Sequence, residues 1–263
     1  MEFMVCLKGE TDQHSYLSEI ADLGAGIELG SYGLIGVKSQ KDWDSRLEKH
    51  IMIMKQFPGK VAIHGPFIGI EYTHIDHLIR ESIQCRIDMI FNVACTLKAD
   101  RVILHSGYSM ETEVFHLNEL WISENINYWR NEICRWEKAG IEIVLENDVE
   151  RSPDLLVDLV RAVKSPSLQL CLDIGHLHYF SPYSSSNWVS KMGSYLKHVH
   201  FHDNDQKADR HWSLGKGTFD FEAFYSSIEN NTSNITLSIE VEGTMEDKMN
   251  DLRKVINRFK KLY

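Results

Sequence analysis

From end to end the chain alternates short runs of β-branched and aliphatic residues with longer stretches of helical periodicity, a series regular enough to leave few folds open. The candidate strands are FMVCL (3–7), GIELG (26–30), KVAIHG (60–65), RVILHSG (101–107), IEIVLEN (141–147), LQLCLDIG (168–175), HVHFHD (198–203) and ITLSIEVEG (235–243). Between them, HIDHLIRESIQCRIDMIFNVACTLKA, LNELWISENINYWRNEICRWEKAG, SPDLLVDLVRAVK and TMEDKMNDLRKVINRFKKLY have helical spacing or composition. Boundary signals agree: Ser152 followed by Pro153 reads as a cap and a first-turn proline, Gly140 as a helix stop, and TMED as the start of a capping box. Eight strand and helix units in roughly 250 residues are the size and repeat number of a (β/α)8 barrel. The prediction is an α/β protein folded as a single TIM barrel over residues 1–263. A doubly wound open sheet is the weaker choice, because no Gly-rich dinucleotide turn follows a strand. The stretch HYFSPYSSSNW, after the sixth strand, reads as a surface loop over one end of the barrel.

Composition narrows the class of function. A formal charge of -10 with no basic cluster disfavours nucleic acid as a partner. The chain lacks an apolar run long enough to span a membrane, and MEFMVCLKGETDQ lacks the pattern of a signal peptide, so a cytoplasmic location is the default. Cys6, Cys85, Cys95, Cys134 and Cys171 form no C-x-x-C pair and read as core or helix-face thiols.

In a barrel of this kind, chemistry sits at the C-terminal ends of the strands. Six consecutive candidate strands each place an imidazole or carboxylate there: His64, His105, Glu146, Asp173, His200 and Glu240. Burying so many polar groups in a barrel mouth is costly unless they are paired or hold a cation, and His, Asp and Glu are the usual ligands of zinc, manganese and iron. Two loops add candidates. Asp173 and His176 are three residues apart in LDIGHLH, and Asp209 and His211 are two apart in ADRHWSLGKG. Residues 198, 200 and 202 point the same way along a strand. His200 is taken as the ligand, His202 as its support or a substrate contact, and His198 as structural. His14, His50, His74, His77, His116 and His178 read as surface or helix-face residues.

Through LHSG, LEN, LDIGH, HFHD, DRH, LGKG and IEVEG, the chain resembles the xylose-isomerase-like TIM-barrel superfamily. That superfamily includes the endonuclease IV enzymes (AP endonuclease family 2) and many sugar isomerases and epimerases. The resemblance to endonuclease IV implies nine ligands for up to three ions, zinc first and manganese or iron as the alternatives: His64, His105, Glu146, Asp173, His176, His200, Asp209, His211 and Glu240. Similarity to the isomerases implies one ion on Glu146, Asp173, His200 and Glu240, with Glu146 and Glu240 also moving protons to and from a sugar carbon. Phe67 falls where the DNA enzymes push side chains into their substrate, while NDVERSPD after Glu146 departs from their Gly-rich continuation.

Two activities follow. The first is phosphoester hydrolysis at a multinuclear site, in which Glu146 and Glu240 anchor metals, Glu146 orients the attacking water and Lys216 contacts a phosphate. The nine-donor count favours it. The alternative is isomerisation or epimerisation of a sugar or sugar phosphate at one metal, in which His176 binds substrate oxygens, Glu150 contacts a hydroxyl, and His64, His105, Asp209 and His211 keep subsidiary roles. A barrel that binds a ligand without turnover is the least favoured, since none of the nine donors is missing. Either activity takes a small phosphorylated or sugar substrate.

Overall fold

The computed structural model describes residues 1–8, 14–33, 39–229 and 234–260, with the backbone alone of His14. In chain order the elements are β1 (Glu2–Leu7), α1 (Leu17–Asp22), β2 (Gly26–Leu29), α2 (Gln40–Met54), β3 (Val61–His64), α3 (His77–Leu97), β4 (Arg101–His105), α4 (Met110–Val114), α5 (Asn118–Ala139), β5 (Glu142–Glu146), α6 (Asp154–Val163), β6 (Leu168–Asp173), α7 (Ile174–Phe180), α8 (Ser185–Met192), β7 (Leu196–Phe201), α9 (Phe221–Glu229), β8 (Thr236–Ile239) and α10 (Met245–Lys260). Every strand pairs in parallel with the next, and β8 closes on β1 with Glu2 beside Thr236 and Val5 beside Ile239. This is the predicted (β/α)8 barrel.

Alternation along the strands divides their side chains between two cores. Ile63, Leu104, Leu145, Leu172, Val199 and Ile239 point outward and pack beneath the helices. Met4, Ala62, Ile103, Val144 and Cys171 form a separate, smaller cluster inside the barrel. One inward step nearer the C-terminal ends stand His64, His105, Glu146, Asp173 and His200, with Glu240 directly after β8. Neighbouring strands bring these groups level, His105 beside Glu146 and Asp173 beside His200. Between β6 and β7 the register slips: β7 advances from Leu196 to His198 while β6 advances from Leu170 to Cys171. Such a bulge re-aims the strand's side chains.

Helix ends follow local chemistry. Gly140, at φ 71°, ends α5 in the left-handed region that glycine adopts without a Cβ penalty. Before α10 the Asp247 N–H donates to Thr244 Oγ1 (3.1 Å) and the Thr244 N–H to Asp247 Oδ2 (3.1 Å), a reciprocal cap. At α6 the boundary moves by one residue: Pro153 precedes the helix, and the Asp154 N–H donates to Ser152 Oγ.

Other expectations are corrected. The stretch 168–175 ends as a strand at Asp173, because that carboxylate accepts the His176 N–H (2.7 Å) and starts α7. Likewise 178–188 is largely helical, with α8 capped by Ser184. His50, read as a surface or helix-face residue, lies on α2 with its side chain turned inward: it is 4% exposed, with Nδ1 2.7 Å from the Tyr32 hydroxyl. Residues 261–263 of the expected last helix and the His14 side chain lie outside the described residues. Cys6 and Cys171 are buried, and Cys85, Cys95 and Cys134 are exposed free thiols on helices. Among the described residues no helix is long and apolar enough to cross a membrane.

Candidate metal centre

At the C-terminal mouth a cavity of about 190 Å3 is lined by Lys8, Gly30, His64, Phe67, His105, Glu146, Asp148, His176, Asp209, His211 and Glu240. Buried behind this lining is His200, whose Nδ1 lies 2.9 Å from Glu146 Oε1, 3.1 Å from Glu240 Oε2 and 3.7 Å from Asp173 Oδ2. On one side, His64 Nε2 and His105 Nε2 face Glu146 Oε2 at 3.2 and 3.6 Å. Opposite, His176 Nε2 and His211 Nε2 face Asp209 Oδ2 at 3.4 and 2.9 Å. The structure therefore brings together all nine candidate donors, in an inner group with two flanking groups.

Each imidazole is anchored through its other nitrogen. Nδ1–H of His64 donates to the Gly65 carbonyl (2.9 Å), that of His176 to the Asn147 carbonyl (2.8 Å) and that of His211 to the Glu240 carbonyl (2.9 Å). His105 Nδ1 meets Asp148 Oδ2 at 3.1 Å. A carbonyl can only accept, so these bonds fix the tautomer and turn Nε2 inward, as in histidines that ligate metal. His202 is held similarly: Nε2 lies 2.9 Å from both Asp173 oxygens, and the ring stacks on His211 at 3.8 Å between centroids. His202, His176, Asp209 and His211 each offer an atom to one small group.

For Glu146, Glu240, Asp209, His64, His176, His200 and His211, burial works against the charge but the pairing outweighs it. His200, His105 and His64 hold the Glu146 carboxyl well below the usual range. Lys8 and the nearby imidazoles do the same for Glu240, and His176 and His211 for Asp209. In return the pKa values of His64, His176, His200 and His211 are raised by the carboxylates they face.

Within this cluster of imidazoles and carboxylates, two buried atoms have no hydrogen-bond partner, Glu146 Oε2 and His202 Nδ1. Orphaned buried polar atoms cost about 1–3 kcal/mol each. Glu146 Oε2 is turned toward the two imidazoles of one group and His202 Nδ1 belongs to another, so a cation in either group would give the bare atom a partner. The mixed imidazole and carboxylate set suits zinc, manganese or iron.

The remaining predicted residues are dispersed. Phe67 lines the cavity and stacks on His105, with ring centroids 5.2 Å apart. Lys216 is exposed in the turn after Ser213 and does not line the cavity. That turn is pinned by Asp203, whose Oδ2 accepts the N–H groups of Gly215 and Gly217 at 3.0 and 2.8 Å. Glu150 is 2% exposed behind the mouth, accepting the Ser106 hydroxyl and the Asp148 N–H (2.7 Å). It ties β4 to the loop after β5 rather than reaching the cavity.

Burial pushes the Glu150 carboxyl up to about 7 from its ordinary 4.5. Folded chain then holds a proton that unfolded chain releases, so this group's contribution is full below pH 4.5 and lost as the pH rises through about 7, by roughly 3 kcal/mol. Glu150→Gln keeps the shape and both partners. It is expected to melt with wild type near pH 4.5 and above it at about pH 8, and identical pH dependence of the two melting curves would contradict this.

Sequence reasoning missed Lys8, Asp148 and Glu28. Lys8 follows β1 and is the one Lys or Arg lining the cavity among the described residues, 3.1 Å from both Glu240 Oε1 and Glu242 Oε1. Its signal was available, since it continues the inward alternation Met4, Cys6. A glycine also matters. A Cβ on Gly175 would lie 1.9 Å from Cε1 of His202. Gly175→Ala is expected to drive that ring off Asp173 and to cost about 1–3 kcal/mol by overpacking. Denaturant unfolding checks it, and a variant as stable as wild type would place His202 wrongly.

A family model described as xylose isomerase-like TIM barrel matches residues 19–262. An uncharacterised protein of Methanocaldococcus jannaschii is 26% identical over 182 residues, covering 66% of this chain and 61% of that protein, so the match spans less than two thirds of its length. Fructoselysine 3-epimerase of Escherichia coli O157:H7 is 28% identical over 159 residues, 54% of this chain and 52% of the enzyme. Among solved structures, a D-tagatose 3-epimerase-like protein has a TM-score of 0.79 at 21% identity, over 100% of this chain and 98% of that one. A Thermus thermophilus protein soaked with zinc chloride has a TM-score of 0.73 at 22% identity, over 98% and 99%. At these identities the structural likenesses establish the fold.

Proposed function

The chain belongs to the xylose isomerase-like TIM barrel family, and on that premise we propose that it isomerises or epimerises a sugar or sugar phosphate with one divalent ion held by Glu146, Asp173, His200 and Glu240. The observation that carries the reading is the approach of Glu146, Glu240 and Asp173 to one ring nitrogen of His200, at 2.9, 3.1 and 3.7 Å. The named activities of the similar proteins, 3-epimerisation of fructoselysine and a likeness to D-tagatose 3-epimerase, favour this over hydrolysis.

A bound divalent ion supplies Lewis acidity, drawing charge onto the carbonyl and hydroxyl oxygens of the substrate. The chain's own residues move the proton. One of Glu146 and Glu240 enters the reaction as carboxylate and takes it from the carbon beside the carbonyl; the other enters as the carboxylic acid and gives its own proton to the opposite face, so that carbon inverts and the two glutamates exchange protonation states. His176, its Nδ1–H committed to Asn147, offers Nε2 to a substrate oxygen. The Phe67 ring over His64 and His105 shields the mouth from water.

One observation favours the hydrolytic reading, the presence of the two flanking groups around His64, His105 and Glu146 and around His176, His202, Asp209 and His211. The decisive comparison sets a panel of ketoses and ketose phosphates against abasic-site DNA and simple phosphodiesters, using wild type and His64→Ala/His105→Ala. Epimerisation that persists in the double variant supports the proposal. Phosphoester cleavage that vanishes in it, with every sugar untouched, overturns the proposal.

A further inference from the structure

Beneath the mouth the barrel encloses a second polar set that the proposed reaction does not use. Glu28, on β2, is fully buried and reaches across the barrel to β7. Its Oε2 is 3.0 Å from His198 Nε2, and its Oε1 is 3.1 Å from His200 Nε2. His198 is anchored from below: Arg101 Nη1 approaches its Nδ1 at 3.3 Å and is itself held by Thr236 Oγ1 (2.8 Å) and the Lys197 carbonyl (3.0 Å), while Nη2 of the same guanidinium pairs with Glu142 (2.7 Å). A line of hydrogen bonds thus runs from the N-terminal end of the barrel to the floor of the metal centre.

An imidazole has two nitrogens, and the use of one decides what the other can do. Nε2 of His200 faces a carboxylate that can only accept, so this nitrogen keeps a proton whatever Nδ1 carries. Nδ1 is then the nitrogen presented to Glu146, Asp173 and Glu240. We propose that Glu28 is a positioning residue that fixes the tautomer and orientation of His200 so that Nδ1 is offered to the metal, with His198 and Arg101 holding Glu28 in place. This rests on the reading of His200 as a ligand.

Carboxylate partners of metal-bound histidines typically change metal affinity by about 10–100-fold when removed. Glu28→Gln, whose amide offers one acceptor for two imidazole donors, is expected to weaken zinc binding by that factor in competition with a chromophoric chelator. It is also expected to shift the visible absorption of the cobalt-substituted protein, a signature that loss of stability alone would not move. His200→Ala is the companion. If it binds zinc as wild type does, the ligand reading fails. If it loses zinc while Glu28→Gln keeps wild-type affinity and spectrum, the positioning proposal fails. Loss of a whole equivalent of metal from Glu28→Gln, with the remaining spectrum unchanged, would make Glu28 a ligand and overturn it. Should that variant not fold, 15N NMR of histidine in the zinc-loaded wild type still decides. Protonated Nε2 on His200 is expected, and protonated Nδ1 contradicts the proposal.

Discussion

Glu146→Gln is expected to fold and to lose about 10^3-fold in turnover at saturating metal. The carboxylate is fully buried, touches His200 through Oε1 and faces His64 through Oε2. Glutamine fills the same space but can neither take a proton from carbon nor carry the charge that the surrounding imidazoles and a cation require. Positioned proton transfer accounts for about 10^2–10^4-fold in rate, and the loss of a metal donor adds to it. Glu240→Gln is expected to fall as far, because in the proposed reaction the second carboxyl completes the inversion that the first begins. Lys8 then loses one of its two carboxylate partners. Steady-state rates on the best sugar of the panel check both variants, and wild-type turnover in either would remove it from the chemistry.

Stripping the metal with a chelator is expected to abolish turnover and to lower the melting temperature by about 10 °C. Four carboxylates and several imidazoles crowd one mouth, and a cation held there stabilises the fold by mass action. At a free concentration of about 1,000 times the dissociation constant that contribution is about 4 kcal/mol, and each kcal/mol moves the midpoint of a domain this size by about 2–4 °C. Zinc, manganese and ferrous ions, returned singly under anaerobic conditions, are expected to restore both quantities, and the native ion is the one that restores most turnover. A chelated protein with unchanged melting and unchanged turnover would contradict the metal centre.

The donors were legible because strand periodicity and barrel architecture act together. His64, His105, Glu146, Asp173 and His200 lie at strand ends on the inward face, and Glu240 follows directly after β8, so counting strands was enough to gather them. Asp173 and His176 were readable as a pair because one caps the helix that presents the other. Glu28 was not legible. It stands within a strand that carries no other metal-type side chain, and its partner His198 is 170 positions away. Glu150 was misread for the opposite reason: beyond the strand end alternation no longer fixes direction, and the loop folds back to Ser106. The reaction itself was not legible in the candidate donors, since four of them suffice for the isomerase reading while the hydrolase reading takes all nine, and the count alone favoured the hydrolase.

The central claim is that Glu146 and Glu240 move a proton at a sugar carbon beside a metal. It is tested most directly by incubating the metal-loaded protein with the ketose and ketose phosphate panel in D2O and following carbon-bound hydrogen by mass spectrometry and NMR. The account predicts deuterium at one carbon adjacent to the carbonyl of at least one sugar, together with its epimer or isomer, and neither in Glu146→Gln or Glu240→Gln. Protein that cleaves a phosphoester while leaving every sugar in the panel unexchanged would contradict it.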